Sequence, residues 1–71
     1  MYQKLLVSNL PDGADETELQ ELFESFGRVD FVKITRRYAI VQFEDSRAAE
    51  IAFAYGVTLR AHRLNIKEAQ W

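Results

Sequence analysis

Tyr38 stands in the run Arg36-Arg37-Tyr38-Ala39-Ile40-Val41-Gln42-Phe43, where a ring, an aliphatic chain and an amide recur at every second position. Successive side chains of a strand point to opposite faces, so Tyr38, Ile40 and Gln42 share one face while Ala39, Val41 and Phe43 share the other. A second run, Leu5-Leu6-Val7-Ser8-Asn9-Leu10, alternates in the same way, with Leu5 and Val7 on one side and Lys4, Leu6 and Ser8 on the other. Such groups stack on planar rings, pair with anions and exchange hydrogen bonds, which is binding chemistry. Bond-breaking chemistry has no comparable pattern. There is no cysteine, and His62, the one histidine, has no ligand or nucleophile at a useful spacing. Gly13, Gly27 and Gly56 read as turn or cap residues rather than a phosphate cradle.

The elements that must position these groups follow from hydrophobic periodicity. Asn9-Leu10-Pro11-Asp12-Gly13 is a turn after the first strand. Asp15 is expected to cap a helix, with Glu18 three residues on completing a capping box. Leu19, Leu22, Phe23 and Phe26 give the helix an apolar stripe, and Gly27 is expected to end it as a left-handed cap. Residues 29–35 alternate as a second strand, Val32 and Ile34 inward and Phe31, Lys33 and Thr35 outward. A very short connection at Thr35-Arg36-Arg37 leads into a third strand over 37–43. Asp45 or Ser46 caps a second helix that packs through Ala48, Ala49, Ala52 and Phe53 and stops at Gly56. His62 falls in a turn, and residues 63–69 make the last strand, Leu64 and Ile66 inward and Asn65 and Lys67 outward. The order strand, helix, strand, strand, helix, strand is an α+β, ferredoxin-like βαββαβ sandwich. It places a four-stranded antiparallel sheet under two helices and leaves the second face of the sheet open.

Composition sets outer limits. Seventy-one residues make one domain, expected over 3–70, with a core so small that nearly every periodic apolar position must be buried. The chain is 48% hydrophobic and 28% charged, as globular domains are. No apolar run approaches the roughly 18 residues of a membrane span, and Met1 is followed by a strand pattern rather than a signal peptide. The absence of cysteine fits an intracellular domain, nuclear or cytoplasmic. The ending at Trp71 suggests a domain cut from a longer protein, with a complete small protein as the alternative. The net charge of −2 argues mildly against a polyanionic partner, but its distribution does not. Residues 1–30 hold seven acids and two bases, whereas residues 31–71 hold seven bases and four acids. A near-neutral total therefore conceals a basic region beside an acidic one.

Over roughly residues 3–70 the chain resembles the RNA-recognition motif family. The family hexamer reads aliphatic, aromatic, aliphatic, any, Asn, Leu, and residues 5–10 read Leu, Leu, Val, Ser, Asn, Leu. The family octamer reads basic, Gly, aromatic, Gly or Ala, aromatic, aliphatic, any, aromatic. Residues 36–43 depart from it at Arg37 and Ile40. Leu19-x-x-Leu22-Phe23-x-x-Phe26-Gly27, Phe43-Glu44-Asp45 and Arg63-x-x-Ile66 add to the likeness. The resemblance implies single-stranded RNA as partner, no cofactor, no small-molecule substrate and no enzymatic activity. It also implies that Leu6, Tyr38 and Ile40 occupy positions where family aromatics stack on bases, so one ring of three is kept. Stacking contributes roughly 1–3 kcal/mol per base. Two absent rings then correspond to roughly 2–6 kcal/mol, or tens-fold to about ten-thousand-fold in affinity.

Other residues can compensate. Phe31 is expected to face outward, as are Trp71 and Tyr2 if their strands continue in register. Lys4, Lys33, Arg36, Arg37, Arg63 and Lys67 are expected on or around the same face, for phosphates or base edges, and Gln42, Ser8 and Asn65 are candidates for base-discriminating hydrogen bonds. Plainer readings stand beside these. Tyr38 and Phe31 can simply cover sheet, Trp71 can fold back on the core, and the two hairpin arginines can be a solvated tip. Leu6 and Ile40 serve equally as an apolar patch for a protein partner, and the helix acids Glu16, Glu18, Glu21 and Glu24 as a solvated face or a docking surface for a basic partner. Acylphosphatase-like enzymes share the topology but need an anion-binding loop after the first strand, where this chain carries Asp12.

Overall fold

Alternating burial builds the sheet in the computed structural model, which describes residues 3–69. Strand β1 (Lys4–Ser8) buries Leu5 and Val7 completely and leaves Lys4, Leu6 and Ser8 half-exposed. Strand β3 (Tyr38–Phe43) buries Ala39, Val41 and Phe43 and shows Tyr38, Ile40 and Gln42 on the far side. These two strands pair antiparallel at the centre, flanked by β2 (Val29–Ile34) and by a last strand, Asn65–Ala69, to give a four-stranded sheet. Helix α1 (Glu16–Phe23) packs against β2, and α2 (Ser46–Tyr55) against β1, β3 and the last strand. The fold is the α+β ferredoxin-like arrangement, with both helices on one face. Between the layers Phe23 meets Phe43 edge-on at 6.2 Å, among Leu5, Val7, Leu19 and Val41. No polar or charged side chain is buried among the described residues, so the polar groups are distributed over surfaces. Among the same residues no helix is long and apolar enough to cross a membrane.

Both helix starts are capped by aspartate. Asp15 Oδ1 accepts from the Glu18 N–H at 2.8 Å, and Asp45 Oδ1 from the Arg47 N–H at 2.8 Å. The expected capping box is only half made, because Glu18 spends its carboxylate elsewhere: Arg60 donates to it from Nε at 3.0 Å and from Nη2 at 2.7 Å. Gly27 is not a left-handed cap either, since its φ is not positive. α1 ends at Phe23 with Glu24 as a right-handed cap, and Gly27 is needed for packing: a Cβ there would sit 2.5 Å from Ala48 Cβ. Its absence lets α2 approach closely. Gly56, at φ +76°, does close α2. Ala48, Ala49 and Ala52 are buried as expected, whereas Phe53 is 45% exposed. Residue 53 lies at the flank of the narrow alanine stripe, where a helix resting on small side chains has no depth for a ring.

The last part of the chain differs from its expected layout. Thr58–Leu59 and His62–Arg63 form an additional two-stranded ladder, β4 and β5, and Asn65–Ala69 is therefore β6. His62 is thus in a strand rather than a turn, and Arg63 belongs to the small ladder rather than to the main sheet. The ladder contributes Leu59 to the core beside Val57 and Leu64, and the Leu64 N–H donates to the Val57 carbonyl at 2.9 Å.

Candidate binding face

Strand register arranges the open face into rows. Lys33, Ile40, Leu6 and Lys67 lie opposite one another across β2, β3, β1 and β6. Neighbouring strands are about 4.8 Å apart, so this row spans roughly 14 Å, with two apolar side chains at its centre and an ammonium at each end. Tyr38, Ser8 and Asn65 form the row on one side of it; Phe31, Gln42, Lys4 and Ala69 form the row on the other. Tyr38 is 39% and Phe31 42% exposed. They stand two rows apart, roughly 13 Å along the strands, so they offer platforms to two different rings rather than a clamp on one.

The expected residues Tyr38, Phe31, Leu6, Ile40, Lys33, Gln42 and Lys67 are therefore brought onto one face. Arg36 and Arg37 sit at its end, in a two-residue hairpin tip. Thr35 closes that tip, donating to the Tyr38 carbonyl from its N–H at 2.8 Å and from its hydroxyl at 3.1 Å. Both arginines are exposed and have no hydrogen bond or ion pair among the described residues. With Asp12, Gly13 and Thr35 they line a notch of about 200 Å³ between this tip and the loop after β1. Trp71 and Tyr2 lie outside the described residues.

Arg63 does not join the face. Its guanidinium rests over Gly56 at the end of α2, 3.3 Å from where a Cβ would be. The extra ladder carries it there, because β5 pairs with β4 and not with the main sheet. Asn9, in the left-handed conformation at φ 63°, ties the end of β1 to this segment by donating from Nδ2 to the Arg63 carbonyl at 2.8 Å.

Three further features were not visible in the sequence. Strict alternation would send Asp30 toward the core beside Val32, but a bulge between Val29 and Phe31 shifts the register of β2. Asp30 instead reaches the open face, where its Oδ2 accepts from Gln42 Nε2 at 2.9 Å. A charged residue at an inward position was the one available signal for this bulge. The acids of α1 also do more than meet solvent: Glu18 holds Arg60, and Glu16 Oε2 accepts from the Ile34 N–H at 3.0 Å on edge strand β2. Finally, α2 exposes Ile51, Phe53 and Tyr55 on the opposite side of the molecule.

Known proteins share this architecture. The family model of the RNA recognition motif matches residues 5–64. RNA-binding protein 4B of Homo sapiens is 40% identical over 63 residues, covering 89% of this chain and 18% of that protein. The probable splicing factor, arginine/serine-rich 6, of Caenorhabditis elegans is 42% identical over 55 residues, covering 73% of this chain and 31% of that protein. A solved Sxl-lethal protein/RNA complex superposes with a TM-score of 0.88 at 27% identity, covering 100% of this chain and 48% of that one. The chain thus spans less than a third of the length of these two relatives.

Proposed function

Because the chain belongs to the RNA recognition motif family, we propose that it binds single-stranded RNA across the open face of its sheet. The observation that carries this reading is the register row Lys33–Ile40–Leu6–Lys67, a cation-flanked apolar strip with an exposed ring in the row on either side. In this reading Tyr38 stacks on one base and Phe31 on another, while Leu6 and Ile40 pack against base faces or sugars. Lys33, Lys67, Arg36 and Arg37 meet phosphates, and Ser8, Asn65 and Gln42 meet base edges. One binding domain over residues 3–70, without catalytic activity, would serve a larger RNA-processing or regulatory protein in the nucleus or cytoplasm. Its neighbours in that protein would raise affinity by effective concentration.

The test is a backbone-amide NMR titration with a degenerate single-stranded RNA pool at two salt concentrations. Shifts should concentrate on Leu6, Lys33, Tyr38 and Ile40. The affinity should fall with salt at a slope of roughly −3 in log–log form, as four phosphate contacts at about 0.7 each require. An unperturbed spectrum at high RNA concentration would sink the reading.

A second reading has its own observation. Leu6 and Ile40 are adjacent in register and apolar where the family carries rings, which suits a protein partner. Binding of that kind should tolerate salt and be lost in Ile40→Asp, so the salt slope separates the two.

A further inference from the structure

Gln42 is a neutral amide on the proposed RNA face, and a neutral amide can turn either its carbonyl or its NH₂ group toward a ligand. Here that freedom is removed. An ionised carboxylate only accepts hydrogen bonds, so Asp30, taking a hydrogen from Gln42 Nε2 at 2.9 Å, forces the nitrogen toward itself and the carbonyl oxygen away. The bulge in β2 is what puts Asp30 within reach; with regular alternation its side chain would lie under the sheet. Gln42 stands between Phe31 and Lys4 in its row, next to the ring proposed as the second stacking platform.

We propose that Asp30 and Gln42 together form a base-reading site that presents acceptors. Gln42 reads the base, and Asp30 is the positioning residue that sets its polarity and adds a carboxylate oxygen beside it. The ligand class is a base that turns an exocyclic amino group to this spot: adenine, cytosine or guanine. Uracil has no amino group; its one edge donor, N3–H, is recessed between two carbonyl oxygens, which would face the paired acceptors of Gln42 and Asp30. This inference rests on RNA crossing the sheet face as proposed above, and it adds selection against uracil at the nucleotide nearest Phe31.

Selection from a degenerate RNA pool, followed by sequencing of the retained molecules, tests it in wild type, Asp30→Ala and Gln42→Ala. Wild type should enrich a motif in which one position is depleted of uracil about fivefold, as one net hydrogen bond of about 1 kcal/mol gives. Asp30→Ala should restore uracil at that position while the protein still retains RNA, and Gln42→Ala should do the same. A wild-type motif with no uracil-depleted position, or a depletion that persists in Asp30→Ala, overturns the proposal while leaving RNA binding intact. Failure of wild type to retain any RNA overturns the binding reading itself, and this inference with it. A measurement without RNA guards the premise: the side-chain NH₂ resonances of Gln42 should move in Asp30→Ala while the backbone spectrum keeps its dispersion. Unmoved resonances would mean that the Asp30 contact does not orient the amide, and would also overturn the proposal.

Discussion

Two hairpin tips in this domain are built from two residues and carry arginine, yet they use it in opposite ways. At the β4–β5 tip, Arg60 is fully engaged. Its Nε and Nη2 hold the two oxygens of Glu18, its Nη1 donates to the Asp12 carbonyl at 3.0 Å, and it adopts φ 50° with Ala61 at φ 67°. At the β2–β3 tip, Arg36 and Arg37 have ordinary negative φ and no partner among the described residues. The first arginine fastens the small ladder to the start of α1; the other two have donors that no described residue uses. The lesson is that a positive charge identifies neither a binding residue nor a structural one. What decides is whether the fold has already supplied its carboxylate.

The contrast can be broken or sharpened by substitution. The largest effect should come from Tyr38→Ala at the exit of the unpartnered tip. Loss of one stacking platform should weaken RNA binding by roughly 1–3 kcal/mol, read by fluorescence anisotropy, beyond the smaller stability loss of about 1 kcal/mol or less that removing a partly covered strand tyrosine brings. Replacing Arg36 and Arg37 together by alanine should lower the salt slope by roughly 1.4, two phosphate contacts' worth, without a stability cost. Arg60→Ala should do the reverse. A bidentate but partly exposed ion pair contributes about 1 kcal/mol, so the melting temperature should fall by about 4–8 °C while RNA affinity stays within twofold. Should Arg60→Ala reduce RNA affinity as much as the double variant does, the division between the two tips is wrong. The smallest effect is expected for Ala61→Gly. Glycine adopts positive φ without a Cβ penalty but loses more chain entropy, so a net gain of roughly 0.5 kcal/mol should appear in chemical denaturation.

The same contrast marks what could be read from the sequence. The period-two pattern of 38–43 and 5–8 is enough to send Tyr38, Ile40 and Leu6 to one face, because reversing it would bury Lys4 and expose Leu5 and Val7. Asp15 and Asp45 are legible for a similar reason, since each precedes a helical stripe and carries the side chain a cap requires. The β4–β5 ladder was not legible. Two-residue tips of its kind are announced by Asn-Gly or Asp-Gly, and Arg60-Ala61 carries neither. Missing that ladder misplaced Arg63 as well. Gly27 misled differently: glycine suits both a left-handed cap and a close helix approach, and only the distance to Ala48 separates the two. Asp30 required knowledge of a bulge, and a single departure from alternation is a thin signal for one.

The Glu16 carboxylate on the Ile34 N–H bears on how the molecule behaves in company. An edge strand offers its outward backbone groups to any strand that drifts alongside, and chains with flat, bare edges grow into aggregates by that route. Here a donor at the end of the β2 edge is already taken, and an approaching strand meets a carboxylate and the start of a helix in its place. The acidic first helix therefore acts as a guard rail for the sheet: at that point a second copy of the domain would find no free donor to pair with, while the broad face beside it is left to other contacts.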